Sequence, residues 1–161
     1  TDLNTPRYDA GRALLLLGDG KGGFSPVPGP ESGLLVYGDQ RGAATADYDK
    51  DGRADLVITQ NGAATRLFRN QGARPGLRVR LQGPPGNPHA IGAQLRLRYG
   101  ERWGPRRELQ AGIGYWSQSS LVPVLGEAAI PSGLEIRWPD GRSTMVAIPA
   151  GTRELIVPLP K

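Results

Sequence analysis

Three segments in the second half of the chain alternate apolar and charged or polar residues strictly: Leu77-Arg78-Val79-Arg80-Leu81, Leu95-Arg96-Leu97-Arg98-Tyr99 and Leu134-Glu135-Ile136-Arg137-Trp138. A period of two puts successive side chains on opposite faces of an extended strand, so each segment offers one face to a core and one to water. Between such runs the chain is punctuated by glycine and proline, 24 and 15 of its 161 residues. That content approaches low complexity, but the apolar alternation between the breakers argues for a turn-rich, all-β protein. The length accommodates one large or two small domains, each with a real core.

Charge divides the chain. Residues 1–72 carry 8 Lys/Arg against 9 Asp/Glu, and residues 73–161 carry 12 against 6. The change falls at Asn70-Gln71-Gly72-Ala73-Arg74-Pro75-Gly76, a turn-rich stretch that predicts a domain boundary with a short linker. The absence of cysteine excludes disulfides, thiolate chemistry and Cys-ligated zinc without fixing a compartment. The longest apolar run, Ala13 to Leu17, is of strand length, so no membrane-spanning helix is expected. Thr1-Asp2-Leu3-Asn4 has neither the basic start nor the apolar stretch of a signal peptide, and the chain reads as a piece of something longer.

The first part holds the strongest chemical signal. Asp47-Tyr48-Asp49-Lys50-Asp51-Gly52-Arg53-Ala54-Asp55 places carboxylates at positions 1, 3, 5 and 9 around a glycine at position 6. Ca²⁺ takes six to eight oxygen ligands at about 2.3–2.6 Å, and this spacing offers Asp47, Asp49, Asp51 and Asp55 with the carbonyl of Arg53. The bidentate Glu at position 12 of a helix-loop-helix site is missing, since that place holds Ile58. The flanks, Gly42 to Ala46 and Leu56 to Thr59, read as strands, so the loop joins two strands. The plain alternative is an Asp/Gly turn, although four like charges this close repel unless a cation neutralises them.

Leu15-Leu16-Leu17-Gly18-Asp19-Gly20 overlays Leu67-Phe68-Arg69-Asn70-Gln71-Gly72 at an offset of 52 residues, each a strand running into a glycine turn. Strand-turn units at such a period point to propeller blades. Asp19-Gly20-Lys21-Gly22-Gly23 reads as a hairpin turn with too few carboxylates for a second metal site.

These residues resemble a known family. Ala46 to Leu56 followed by Leu67-Phe68-Arg69-Asn70 is similar to the FG-GAP/VCBS repeat of integrin-α-type propellers, in which loop aspartates bind calcium. The resemblance implies Asp47, Asp49, Asp51 and Asp55 as side-chain ligands and Arg53 as the carbonyl ligand. Residues 77–157 resemble the ASPIC/UnbV domain, which follows such repeats in bacterial secreted proteins and in the cartilage acidic protein family. The supporting residues are Leu77 to Leu81, Asn87-Pro88-His89-Ala90-Ile91-Gly92-Ala93, Gly112-Ile113-Gly114-Tyr115-Trp116-Ser117-Gln118-Ser119 and Ile136-Arg137-Trp138-Pro139-Asp140-Gly141. The resemblance implies architecture and no biochemical activity.

The expected architecture is a partial β-propeller in residues 1–72, a blade fragment with its calcium loop, followed in 73–161 by a small antiparallel β-sandwich or barrel. About one and a half blades cannot close a ring, so residues 1–72 are expected to pack on the second domain or to pair with another chain.

Enzyme readings find little support. Ser117, Ser119 and Ser120 lack the elbow motif of hydrolases, and His89 lies alone in a Pro/Gly-rich loop. Gly112-Ile113-Gly114 opens no βαβ unit and reads as a bend, and sequence cannot bring Glu108 and Asp140 to glycosidase spacing. The expectation is a non-catalytic, calcium-stabilised adhesion or recognition module located extracellularly, at the cell surface or in the periplasm. Its partner would be a protein or an acidic polysaccharide, met by Arg78, Arg80, Arg96, Arg98 and Arg137 with Tyr115 and Trp116. Nucleic acid is not expected, because no recognition-helix pattern is present. The alternatives are a carbohydrate-binding module using Tyr115, Trp116 and Trp103, and a purely structural cap on the propeller.

Overall fold

The computed structural model describes residues 13–126 and 129–160. The first twelve residues of the expected blade fragment, including the segment read for a signal peptide, lie outside the described residues. The described chain is all-β apart from one short helical turn.

In the first part, β1 (Leu15–Gly18) and β2 (Phe24–Val27) form a hairpin. Its turn is the expected one: Asp19 Oδ1 accepts the amides of Lys21 at 2.7 Å and Gly23 at 2.9 Å, which also holds the Asp19 carboxyl below its ordinary pKa. The single turn α1 (Gly29–Ser32) follows. Then β3 (Asp39–Ala46), β4 (Asp55–Asn61) and β5 (Ala63–Phe68) form an antiparallel meander. Among the described residues up to 72, the buried apolar side chains are Val36 and Ile58, while Leu15, Leu16, Leu17 and Phe24 are exposed. So small a core leaves these strands dependent on what they pack against.

The second part supplies the main core. One sheet holds β6 (Leu77–Gln82) between β10 (Val124–Leu125) and β13 (Glu154–Pro158). The other runs β12 (Ser143–Val146), β11 (Gly133–Arg137), β7 (Gln94–Tyr99), β8 (Arg102–Trp103), with β9 (Arg107–Glu108) also paired to β7. Both sheets contribute to one apolar cluster that includes Leu77, Val79, Leu95, Leu97, Leu134, Ile136, Trp138 and Val157. The period-two alternation predicted those core positions on β6, β7 and β11. Trp138 Nε1 reaches Thr144 Oγ1 at 2.9 Å, so burying the indole leaves no orphaned donor. Pro139 to Arg142 make the turn between β11 and β12, closed by the Trp138 amide on the Arg142 carbonyl at 2.8 Å.

One pairing departs from the antiparallel expectation. β13 lies parallel to β6, with Glu154 opposite Arg78 and Val157 opposite Leu81. The two strands are far apart in sequence, so no hairpin turn dictates their direction, and the parallel register buries Val157 in the shared core.

The two parts touch along the aspartate loop and the end of β3 that leads into it. The Gly76 amide donates to the Gly52 carbonyl at 2.8 Å, and the Ser120 amide donates to the Thr45 carbonyl at 2.8 Å. Of the two expectations for residues 1–72, packing on the second domain is the one the described residues display.

Candidate functional site: an aspartate loop closed by arginines

The loop begins where β3 ends and finishes where β4 starts, and the cross-strand pair Ala46 and Asp55 closes its neck. Gly52 has φ +84°, and a Cβ there would lie 3.0 Å from Pro75 Cβ, so both the bend and the approach of the second part require glycine.

Asp47, Asp49 and Asp55 each present a carboxylate oxygen, and these atoms all lie within 4.8 Å of one another. The fourth expected ligand, Asp51, is not in that group. Its Oδ2 pairs with Arg53 Nη1 at 2.8 Å and with Arg69 Nη2 at 3.4 Å. Burial works to raise the Asp51 pKa, but the Arg53 side-chain and backbone bonds and the two positive charges outweigh it and lower it. The Arg53 side chain turns away from the cluster, with Nε on the Ala73 carbonyl at 2.6 Å.

Each clustered carboxylate has its own support. Asp55 is 2% exposed, and it accepts the Tyr48 amide on Oδ2 at 3.2 Å and the Asn70 amide on Oδ1 at 2.8 Å. Asp49 Oδ2 pairs with Arg69 Nε at 2.7 Å. Asp47 has a fully buried side chain, whose Oδ2 takes the Gly52 amide at 3.0 Å and Arg78 Nη1 at 2.5 Å. Its other oxygen, Oδ1, is buried with no hydrogen-bond partner. A desolvated carboxylate oxygen left unpaired is costly, and a bound cation is the simplest partner for it. The donor set of three carboxylates, with one oxygen orphaned, therefore fits a hard divalent ion of the calcium type.

Arg78 corrects one expectation. Its place in the alternation assigned it to an outward basic face, but it is 6% exposed. The aspartate loop covers that side of β6, and Arg78 also bonds the Asp47 carbonyl at 3.3 Å and Glu154 Oε2 at 3.1 Å. Burial pulls its pKa down, yet its bonds to Asp47 and Glu154 prevail and hold it above the ordinary arginine value.

The remaining surface residues stand as follows. Arg80 lies 3.5 Å from Glu154, Arg96 is bonded to Glu135, and Arg98 lies 3.7 Å from Glu101. Arg137 is exposed at the end of β11. Trp103 carries Arg96 at 4.0 Å and Arg98 at 5.6 Å over its ring. Tyr115 and Trp116 project from the Gly112 to Ser119 loop, where Trp116 is 90% exposed with φ +47°. Their rings lie 6.2 Å apart and are tilted by 53°, so they form no flat platform. No helix of the described residues is long and apolar enough to cross a membrane.

Sequence reasoning missed Arg78, Arg69 and Asn70 as parts of the loop's environment. The one available signal was their proximity to the linker, because Asn70 to Gly76 is too short to carry β6 far from the loop.

Comparison with curated proteins finds no match. Residues 83–159 match the family model described as ASPIC and UnbV, which supports the resemblance read from residues 77–157.

Proposed function

We propose that the chain is a non-catalytic, calcium-stabilised recognition module acting outside the cytoplasm, its first part a fragment of an FG-GAP/VCBS-type blade. The observation that carries this reading is the cluster of Asp47, Asp49 and Asp55 with a buried, unpartnered oxygen on Asp47. Asp47 Oδ1, Asp49 and Asp55 would hold the ion, which would brace the loop against the ASPIC/UnbV-type domain. Extracellular modules bind calcium at about 10⁻⁴–10⁻³ M, a range filled outside cells and not in the cytosol. The partner would be a protein or an acidic polysaccharide attracted by the exposed arginines of the second part, which carries most of the chain's positive charge. Exposed apolar residues of β1 and β2 make homo-oligomerisation a further outcome to measure by light scattering.

Melting the protein in chelator and again in millimolar calcium tests the reading. It requires a rise in Tm with calcium that Asp49→Ala reduces, and it fails if calcium moves neither protein.

A carbohydrate-binding role is supported by one observation, the exposure of Tyr115 and Trp116, whereas Trp103 is covered by Arg96 and Arg98. Aromatic faces open to solvent can stack on sugar rings. Loss of binding to a glycan array on Trp116→Ala would support this second reading, and an array with no bound glycan would remove it.

A further inference from the structure

Arg78 holds an unusual position. It belongs to β6, the first strand of the second part, yet its guanidinium is buried against Asp47, a candidate metal ligand of the other part. It grips Asp47 at both the carboxylate and the backbone carbonyl, and Nε holds Glu154 from the neighbouring parallel strand. Asp47 Oδ2 is therefore engaged by the Gly52 amide and Arg78, while Oδ1 alone is left open.

We propose that Arg78 is a built-in cation of the aspartate loop, one that partly substitutes for calcium, weakens its binding and ties metal occupancy to the docking of the two parts. This rests on the calcium reading of the same site. A fixed positive charge beside a divalent-ion site repels the ion through a weakly screened, partly desolvated medium. The same charge keeps Asp47 neutralised when calcium is absent, so the junction between the two parts stays formed. Arg69 and Arg53 neutralise Asp49 and Asp51 in a similar way, but both side chains are more exposed to water than that of Arg78. Arg78 is 8% exposed at the side chain and fixed at both ends, so its charge cannot leave. It is a positioning residue: it directs Oδ1 towards the cluster and sets how much negative charge an incoming ion meets.

Calorimetric titration of the intact chain with calcium chloride, paired with melting in chelator, tests this. Arg78→Met is expected to melt lower than wild type in chelator. Its calcium dissociation constant should be at least about tenfold tighter, with a larger calcium-induced rise in Tm. Folding of Arg78→Met only when calcium is added supports the proposal equally. Should that variant fail to fold even in calcium, Glu154→Gln carries the test. It removes one of the two carboxylates that compensate the guanidinium, so more of its charge falls on the loop, and calcium should bind about threefold more weakly. Unchanged or weaker calcium binding in Arg78→Met, or unchanged or tighter binding in Glu154→Gln, overturns the proposal while the calcium reading stands. A wild type that does not bind calcium beside an Arg78→Met that does would uphold the proposal and remove calcium from the native function. If neither binds calcium, both fall.

Discussion

Replacing Asp55 by alanine in chelator isolates what the aspartate loop contributes before any metal arrives. Asp55 opens β4 with its carboxylate almost wholly buried, and it accepts backbone amides from Tyr48 at 3.2 Å and Asn70 at 2.8 Å. One side chain thus ties the entry of the loop to the end of β5. Hydrogen bonds to a charged acceptor contribute roughly 1.5–3 kcal/mol each, and both amides are only partly buried, so water recovers some of the loss. The expected destabilisation is about 2–5 kcal/mol for Asp55→Ala. Asp55→Asn keeps one acceptor oxygen and can satisfy only one of the two amides, so it should lose less. With a urea slope of about 1–3 kcal/mol/M for a protein of this size, a loss of about 3 kcal/mol moves the midpoint by about 1–3 M. Urea unfolding followed by tryptophan fluorescence reads this directly, because Trp138 is buried in the core. If Asp55→Ala unfolds within about 0.5 kcal/mol of wild type in chelator, the carboxylate is not the structural tie described here.

Other predictions follow from the same geometry. Gly52→Ala combines a left-handed φ of +84° with a contact at 3.0 Å to Pro75, and should lower stability by about 1–3 kcal/mol in the same urea assay. Leu95→Ala, at a fully buried position of β7, should cost about 2–5 kcal/mol, read by calorimetric melting. Acid should destabilise the second part. The Arg96 side-chain bond, working against burial, holds the Glu135 pKa below its ordinary value, and the Arg142 side-chain bond does the same for Asp140. A carboxylate with a depressed folded pKa contributes stability above its unfolded pKa, about 4, and loses it as pH falls through the lower folded value. Tm should therefore fall as pH drops below about 4, and Glu135→Gln should flatten that fall.

Much of the fold was legible because alternation is a local property. Leu77, Val79, Leu95, Leu97, Leu134 and Ile136 were identified as one-face residues, and they form the core. The aspartate loop was legible as a strand-to-strand turn because its glycine and its β-prone flanks are local signals as well. Two features were not legible. The parallel pairing of β13 with β6 is set by distant packing, which no short window encodes. Alternation also assigns a face without naming what covers it, so Arg78 read as solvated although the loop of the other part lies on it. The same limit applies to Asp51, whose spacing suits a ligand but whose carboxylate is drawn to Arg53 and Arg69.

The measurement that bears most directly on the central claim is a crystal structure of the intact chain grown in millimolar calcium, with the ion located by anomalous scattering. The account predicts an ion on Asp47 Oδ1, Asp49 and Asp55 at about 2.3–2.6 Å, with Arg78 still holding Asp47 Oδ2. An ion-free loop at that concentration, with Asp47 Oδ1 unpartnered and Arg69 still paired to Asp49, would contradict it.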